Sequence, residues 1–198
     1  MIFSGLDVEL ARKMAKELGV EVEFNRDAET FNDVVAKVVS GEADIAISKL
    51  SRTLTRSKIV LYARPYIVFY HGFLVNRLSL AENTKGQSIY YYLKNFKGKI
   101  GVIQKSSYVT YAKKNFPKAT IVEYKRWDPD IINAVIKGDV DAAYRDEMEV
   151  KKIIRGKPES ALKLKTIVIK DKKDAIAMCV ARNSVYFLAW VNNFLDTI

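Results

Sequence analysis

One local pattern occurs in each half of the chain and limits the folds that the chain can adopt. Residues 34–47 read VVAKVVSGEADIAI and residues 131–144 read IINAVIKGDVDAAY. Each copy has a helix with an apolar face, a glycine, two further residues, an aspartate and a short apolar strand. The glycines, Gly41 and Gly138, suit the left-handed end of a helix. Such turns are common, and two copies can arise by chance, but the matched length favours two α/β units of similar construction.

Polar residues follow the first of these strands, which covers residues 45–47. In open α/β sheets ligands bind beyond the carboxyl ends of strands. The arginine that follows this strand, Arg56, offers a planar set of donors that matches a carboxylate. The pattern predicts an anion site, and the alternative is a Ser/Thr-rich turn with a solvated arginine. The polar residues that suggest this site are Ser48, Lys49, Ser51, Thr53 and Arg56.

The second strand ends in a similar way. Arg145 and Asp146 stand where Ser48 and Lys49 stand after the first strand. If the two strand ends face each other, Arg56 and Asp146 would bind one ligand from opposite sides.

Two further hydroxyls, Ser106 and Ser107, stand between a predicted strand and a predicted helix. Free N–H groups and the helix dipole at such a position favour an anion. Serine is also an ordinary N-cap residue, so the local signal is weak.

The segment from Gly5 to Asp196 resembles the family 3 extracellular solute-binding proteins, the polar amino-acid receptors of ABC transporters. Residues 5–11, GLDVELA, are similar to a family motif of the type GFDVDLA. Residues 44–66 align without a gap with the type DVIISGMTITPERKKQVDFSDPY, and residues 100–107 with the type VGVQAGST. The resemblance implies an α/β, two-lobed, type II periplasmic-binding-protein-like fold with a ligand cleft between the lobes.

The resemblance also implies roles for individual residues. The family's carboxylate-binding hydroxyl and arginine fall on Ser51 and Arg56, and its ammonium-binding aspartate falls on Asp146. Phe31 stands near a family aromatic that often lies against the ligand, although packing at a helix start is an equal alternative. The residues expected to bind ligand are Arg56, Ser51, Asp146, Ser106, Ser107, Lys49, Lys105, Phe31 and Ser48.

The chain departs from the family pattern at two lysines, at Leu54 and Thr55 where the family has Pro and Glu, and at both ends. Lys49 and Lys105 stand where the family usually has small residues. If they point into the site, an acidic amino acid or a dicarboxylate is expected; the other interpretation is that they point to water. The family's first strand has no counterpart before Met1, and the chain stops at Ile198 within a segment resembling the closing helix. We therefore expect a sequence truncated at both ends, without a signal peptide.

The expected organisation is a first lobe at residues 1–72, a second lobe at 73–174 and a return to the first lobe at 175–198. The net charge is +10. Residues 85–174 hold 21 Lys and Arg against 11 Asp and Glu, so the excess lies in the second lobe. A solvated surface explains this most simply, and a docking face for an acidic partner or an anionic membrane is the alternative. The scattered lysines do not indicate a nucleic-acid surface.

Periodicity predicts most of the helices and strands. A strand is expected at Val20, Val22 and Phe24, a long strand at 67–76 and a loop at 78–87. His71 is interpreted as structural. The single cysteine, Cys179, excludes an internal disulfide and is expected to be buried.

The expected function is binding without catalysis. The sequence has no G-x-S-x-G, no H-E-x-x-H, no nucleotide-binding glycine pattern and no Cys/His cluster, so no cofactor or metal is expected. We expect a periplasmic or extracellular protein that closes by hinge motion on a small amino acid and delivers it to an ABC importer. The alternatives are the sensor domain of a membrane receptor such as a histidine kinase, a cyclohexadienyl-dehydratase-like enzyme, or a relative that no longer binds.

Overall fold

The computed structural model describes residues 4–198, which form two compact units. The first unit contains the residues up to Val68 together with Ala175–Ile198, and the second contains Phe69–Asp174. The helices are α1 (Leu6–Leu18), α2 (Phe31–Ser40), α3 (Arg77–Thr84), α4 (Ile89–Lys94), α5 (Ser107–Asn115), α6 (Ile132–Lys137), α7 (Glu147–Gly156) and α8 (Val185–Leu195). The strands are β1 (Ile45–Ala46), β2 (Val60–Tyr62), β3 (Ile67–Asn76), β4 (Lys99–Ile103), β5 (Thr120–Tyr124), β6 (Ala142–Asp146), β7 (Leu164–Ile176) and β8 (Cys179–Ala181).

A three-stranded sheet with the order β1-β8-β2 forms the centre of the first unit, and β8 pairs antiparallel with both neighbours. Cys179 on β8 is fully buried, as the sequence predicted. Burial raises the pKa of its thiol to about 12, so the thiol stays protonated and unreactive at neutral pH. Leu10 and Met14 of α1 pack in one apolar cluster with Val191 and Phe194 of α8.

The repeated helix–glycine–strand pattern is confirmed in both units. Gly41 follows α2 with φ 80°, and Gly138 follows α6 with φ 84°. Both angles lie in the left-handed region, where a side chain costs energy that glycine avoids. At the other end of α2, Thr30 and Asp33 form a reciprocal capping box with hydrogen bonds of 3.2 and 2.9 Å.

A five-stranded sheet with the order β5-β4-β6-β3-β7 forms the second unit. The pairs β4–β5 and β4–β6 are parallel, and β3 pairs antiparallel with β6. Alternate residues of β3 enter two different apolar clusters: Phe73 packs with Phe96 and Phe116, whereas Leu74 packs with the cluster that contains Ile131. This alternation is what a strand buried on both faces requires.

Two of the predicted elements are wrong. Residues 20–24 form no strand, and Val20 and Val22 are exposed, because no strand of the described chain pairs with this segment. The predicted loop at 78–87 is largely the helix α3. Asn76 starts that helix by accepting hydrogen bonds from the N–H groups of Leu78 and Ser79, at 3.0 and 3.3 Å.

His71 lies in the interior of the second unit on β3, consistent with a structural role. It is 2% exposed, and its Nδ1 is hydrogen-bonded to the hydroxyl of Tyr144. Its ring packs against the rings of Tyr108, Tyr111 and Tyr144, with centroid distances of 5.3, 4.9 and 5.4 Å. Burial lowers the pKa of His71 to about 4.

This buried histidine makes the stability of the protein dependent on pH. The unfolded chain binds a proton near the ordinary histidine value of about 6.5, whereas folded His71 does so only near 4. Stability attributable to His71 is therefore lost as pH falls from about 6.5 towards 4, by about 3 kcal/mol in total. We expect the difference in melting temperature between pH 7 and pH 4.5 to be smaller in His71→Gln than in the wild type. An equal difference in both proteins would contradict this assignment.

Gly72, the next residue of β3, has no room for a side chain. A Cβ atom there would lie 2.6 Å from Cγ2 of Val150 and 3.3 Å from Cα of Glu147, both on α7. Gly72→Ala is expected to destabilise the protein by about 1–3 kcal/mol through overpacking, seen as a lower melting temperature. Gly156→Ala is the control, because a Cβ there meets no atom within 4 Å. A Gly72→Ala protein as stable as this control would show that α7 moves aside freely.

Candidate ligand-binding residues

The loop after β1 is held by the segment just before β8. The N–H of Arg52 donates to the carbonyl oxygen of Ala175 at 2.8 Å, and the N–H of Ala177 donates to that of Leu50 at 3.0 Å. Leu50 is fully buried in the core of the first unit. These two hydrogen bonds hold the backbone of residues 50–52 against the segment before β8, and they fix the positions from which the side chains of this loop project.

Arg56 is buried, with 7% of its surface exposed, in a short 3₁₀ turn at Arg56–Lys58. Its Nε and Nη2 donate to Oδ1 of Asn32 at 3.3 and 3.1 Å, and its Nη1 donates to the carbonyl oxygen of Ser51 at 3.4 Å. These three contacts are with neutral oxygens, and they orient the guanidinium without neutralising it. A buried, oriented guanidinium of this kind is suited to binding an anion.

Lys49 adopts a left-handed backbone conformation with φ 49°. Its N–H donates to Oδ2 of Asp7 at 2.9 Å, and Oδ1 of the same carboxylate accepts from the hydroxyl of Tyr66 at 2.7 Å. Burial, and then the charge of Asp7, raise the pKa of Tyr66, so the phenol remains a donor. Asp7 and Tyr66 thus support the loop, a role that no sequence pattern predicts.

The remaining expected residues of the first unit lie around this loop. Ser51 is buried, and Ser48 is half-buried. Phe31 is the first residue of α2 and is half-buried against the apolar cluster that contains Val35 and Val38. It precedes Asn32, the amide that contacts Arg56.

In the second unit, Asp146 lies at the end of β6 and caps α7. Asp146 is 3% exposed, and its Oδ1 accepts from the N–H of Glu149 at 3.1 Å. Nε of Arg145 lies 3.7 Å from Oδ2 of Asp146, and Nη1 of Arg145 lies 3.8 Å from Oε2 of Glu149. The guanidinium of Arg145 also stacks over the ring of Trp127 at 5.4 Å. Arg145 therefore has anionic and aromatic partners of its own.

The loop between β4 and α5 carries the other three expected residues. Lys105 is exposed and has a left-handed backbone with φ 54°. Ser106 and Ser107 are both buried, and the hydroxyl of Ser106 donates to the carbonyl oxygen of Ile103 at 2.6 Å. Ser106 stands at the N-cap position of α5, but this bond holds the turn and does not cap the helix.

Because β4 and β6 are parallel neighbours, their carboxyl ends lie at the same edge of the sheet. The structure therefore places Asp146 and the loop of Lys105, Ser106 and Ser107 at one edge of the second unit. The other expected residues, Arg56, Ser51, Ser48, Lys49 and Phe31, are grouped in the first unit.

Across residues 4–198, no group of three His, Cys, Asp or Glu side chains is arranged to hold a metal ion. The same part of the chain contains no helix with the length and apolar character that crossing a membrane requires.

The fold is that of the type II periplasmic-binding proteins, and it is shared with solved amino-acid receptors. One is the amino acid ABC transporter substrate-binding protein AbpA from Streptococcus pneumoniae, crystallised with L-arginine. It is 28% identical, and the match covers 96% of this chain and 76% of that chain with a TM-score of 0.77. Another is the ancestral amino acid-binding protein AncCDT-1, a precursor of cyclohexadienyl dehydratase. It is 26% identical, with 96% and 77% covered and a TM-score of 0.75.

The sequence itself identifies the family. Residues 2–198 match the bacterial extracellular solute-binding proteins, family 3, and the chain belongs to this family. A curated relative, the membrane-bound lytic murein transglycosylase F of Idiomarina loihiensis, is 31% identical over 91 residues. That match covers 43% of this chain and 20% of the relative, so the matched part spans about a fifth of the relative's length.

Proposed function

We propose that this protein captures a free α-amino acid outside the cytoplasm, in the periplasm or at the cell surface, and delivers it to an ABC importer. In this proposal it acts as a receptor and not as an enzyme. Membership of the solute-binding family supports capture of a ligand. The similarity to AbpA, an amino acid ABC transporter substrate-binding protein, supports delivery to an importer. The observation that carries the proposal is the buried guanidinium of Arg56, which donates to the neutral oxygens of Asn32 and Ser51.

Within this proposal Arg56 binds the ligand's carboxylate and Asp146 binds its ammonium group. A guanidinium can donate two parallel bonds to a carboxylate, and Ser51 lies against Arg56 to add a hydroxyl. Asp146 is buried and ends a strand, where ligands of α/β sheets bind. The other expected residues, Ser48, Lys49, Phe31, Lys105, Ser106 and Ser107, complete the proposed site.

The basic residues of the second unit help to predict the charge of the ligand's side chain. Lys105 is exposed, and Arg145 lies within 4 Å of two carboxylates, those of Asp146 and Glu149. Neither residue therefore requires a second anionic group from the ligand. AbpA, at 28% identity, binds L-arginine. We propose a basic amino acid as the ligand, with glutamate and aspartate as the competing class.

A thermal-shift screen of the amino acids tests this function. A ligand at a hundred times its dissociation constant adds about 2.7 kcal/mol of stability, so the cognate amino acid should raise the melting temperature by several degrees. Arginine or lysine is expected to do so, and succinate and other acids without an ammonium group are the negative controls. Stabilisation by glutamate or aspartate alone would instead support the anionic ligand. No stabilisation by any amino acid would contradict the proposed function.

A further inference from the structure

The short helix α4 of the second unit has an inner and an outer face. Ile89, Tyr92 and Leu93 pack into the core, together with Phe96 just beyond the helix. Two adjacent tyrosines point outward: Tyr90 is 70% exposed and Tyr91 is 56% exposed. Large aromatic side chains this exposed lose the benefit of apolar burial, and a pair of them indicates a surface that is covered by a partner.

Lysines surround this pair. Lys94 is exposed one helical turn after Tyr90, and Lys97 and Lys99 follow, also exposed. Lys85 is exposed just before the helix. From residue 77 to residue 99 the sequence has five basic residues and one acidic residue. We call the side chains of Tyr90, Tyr91 and Lys94 the tyrosine face.

We propose that the tyrosine face docks the second unit onto the surface of an anionic phospholipid bilayer. Tyrosine has an apolar ring and a polar hydroxyl, so it is favoured at the boundary between acyl chains and water. Lysine stems extend along apolar surface while their ammonium groups reach lipid phosphates. The second unit carries the whole positive excess of the chain, which attracts it to a negative membrane surface from a distance.

Charge and composition favour lipid over an acidic protein as the occupant. Lysine is depleted in protein–protein interfaces, whereas membrane-surface segments combine basic residues with large apolar ones, and tyrosine is enriched at the boundary between lipid and water. The inward-facing residues of α4 already pack in the core of the same unit, so only its outer face is available to an occupant. Docking through the tyrosine face does not depend on which amino acid the protein binds.

Flotation of the protein with vesicles tests the proposal. Binding is expected to vesicles of phosphatidylcholine mixed with phosphatidylglycerol, and not to pure phosphatidylcholine. Replacing both aromatic rings, Tyr90→Ser with Tyr91→Ser, is expected to weaken binding roughly tenfold through lost apolar contact. Replacing Lys94 and Lys97 with glutamine is expected to weaken it about fivefold for each lysine. High salt should reduce the binding of all the proteins.

Matched substitutions in the first unit serve as controls. Tyr186→Ser removes a tyrosine that is 91% exposed on α8, and Lys13→Gln with Lys16→Gln removes the same charge from α1. Both controls should bind the mixed vesicles as the wild type does, and all variants should keep the wild-type melting temperature within a few degrees. Absence of binding by the wild type would overturn the proposal. So would binding that the tyrosine substitutions leave unchanged, which would indicate general attraction by charge. Equal losses in the Tyr186 control would overturn it as well.

Discussion

Replacing Arg56 with alanine is expected to lower the affinity for the cognate amino acid by roughly two to four decades. Removing one partner of a buried charged pair costs about 3–5 kcal/mol, because the remaining charge keeps its desolvation cost without its partner. Arg56 meets this condition: it is 7% exposed, and its guanidinium donates to the neutral oxygens of Asn32 and Ser51. Calorimetric titration with the amino acid found in the thermal-shift screen measures the loss.

Two further variants separate this role from a structural one. Arg52→Ala removes an exposed arginine from the same loop, and it should leave the affinity within about threefold of the wild type. Arg56→Lys keeps the charge but loses the planar pair of donors, so an intermediate affinity is expected. A loss below threefold in Arg56→Ala would show that Arg56 does not bind the carboxylate.

Replacing Asp146 with asparagine should lower the affinity of the protein for an amino acid by roughly two decades. The affinity for the deamino analogue of that amino acid should fall by less than about threefold. The ammonium group loses its buried counter-charge in the first case and is absent in the second. Asparagine is as good an N-cap as aspartate. The hydrogen bond from the N–H of Glu149 and the start of α7 should therefore survive, which the melting temperature will show.

Asp139→Asn is the matched control for charge, since Asp139 is an exposed aspartate of the same unit. It should change neither affinity. Equal weakening of the amino acid and its deamino analogue in Asp146→Asn would make Asp146 a structural cap and nothing more.

Local patterns in the sequence account for most of the secondary structure. Helix α1 follows from such a pattern, because Leu10 and Met14 recur on one face and Gly19 follows the last turn. The strand expected at Val20 and Val22 failed because alternation alone does not supply a neighbouring strand. Helix α3 was not predicted because it lacks a clear local pattern. Its apolar periodicity is weak, and its start depends on the side chain of Asn76.

The candidate site shows the same limit. Arg56 and Asp146 can be predicted as binding residues from the sequence, because each comes shortly after an apolar strand. No local pattern marks Asn32, whose amide holds the guanidinium from 24 residues away. The motif at residues 5–11 contains Asp7, but it does not reveal that the carboxylate of Asp7 accepts a hydrogen bond from the N–H of Lys49, 42 residues away.

The position of β8 determines the order in which the chain can assemble during synthesis. Its three residues form the central strand of the first unit, between β1 and β2, yet they are made after the whole of the second unit. The contiguous second unit can therefore fold while the first still lacks its middle strand. Contacts this distant in sequence form slowly. We therefore expect the edges of β1 and β2 that pair with β8 to stay unpaired until residues 179–181 have left the ribosome. Chaperones that cover exposed strand edges are expected to act on this protein during that interval.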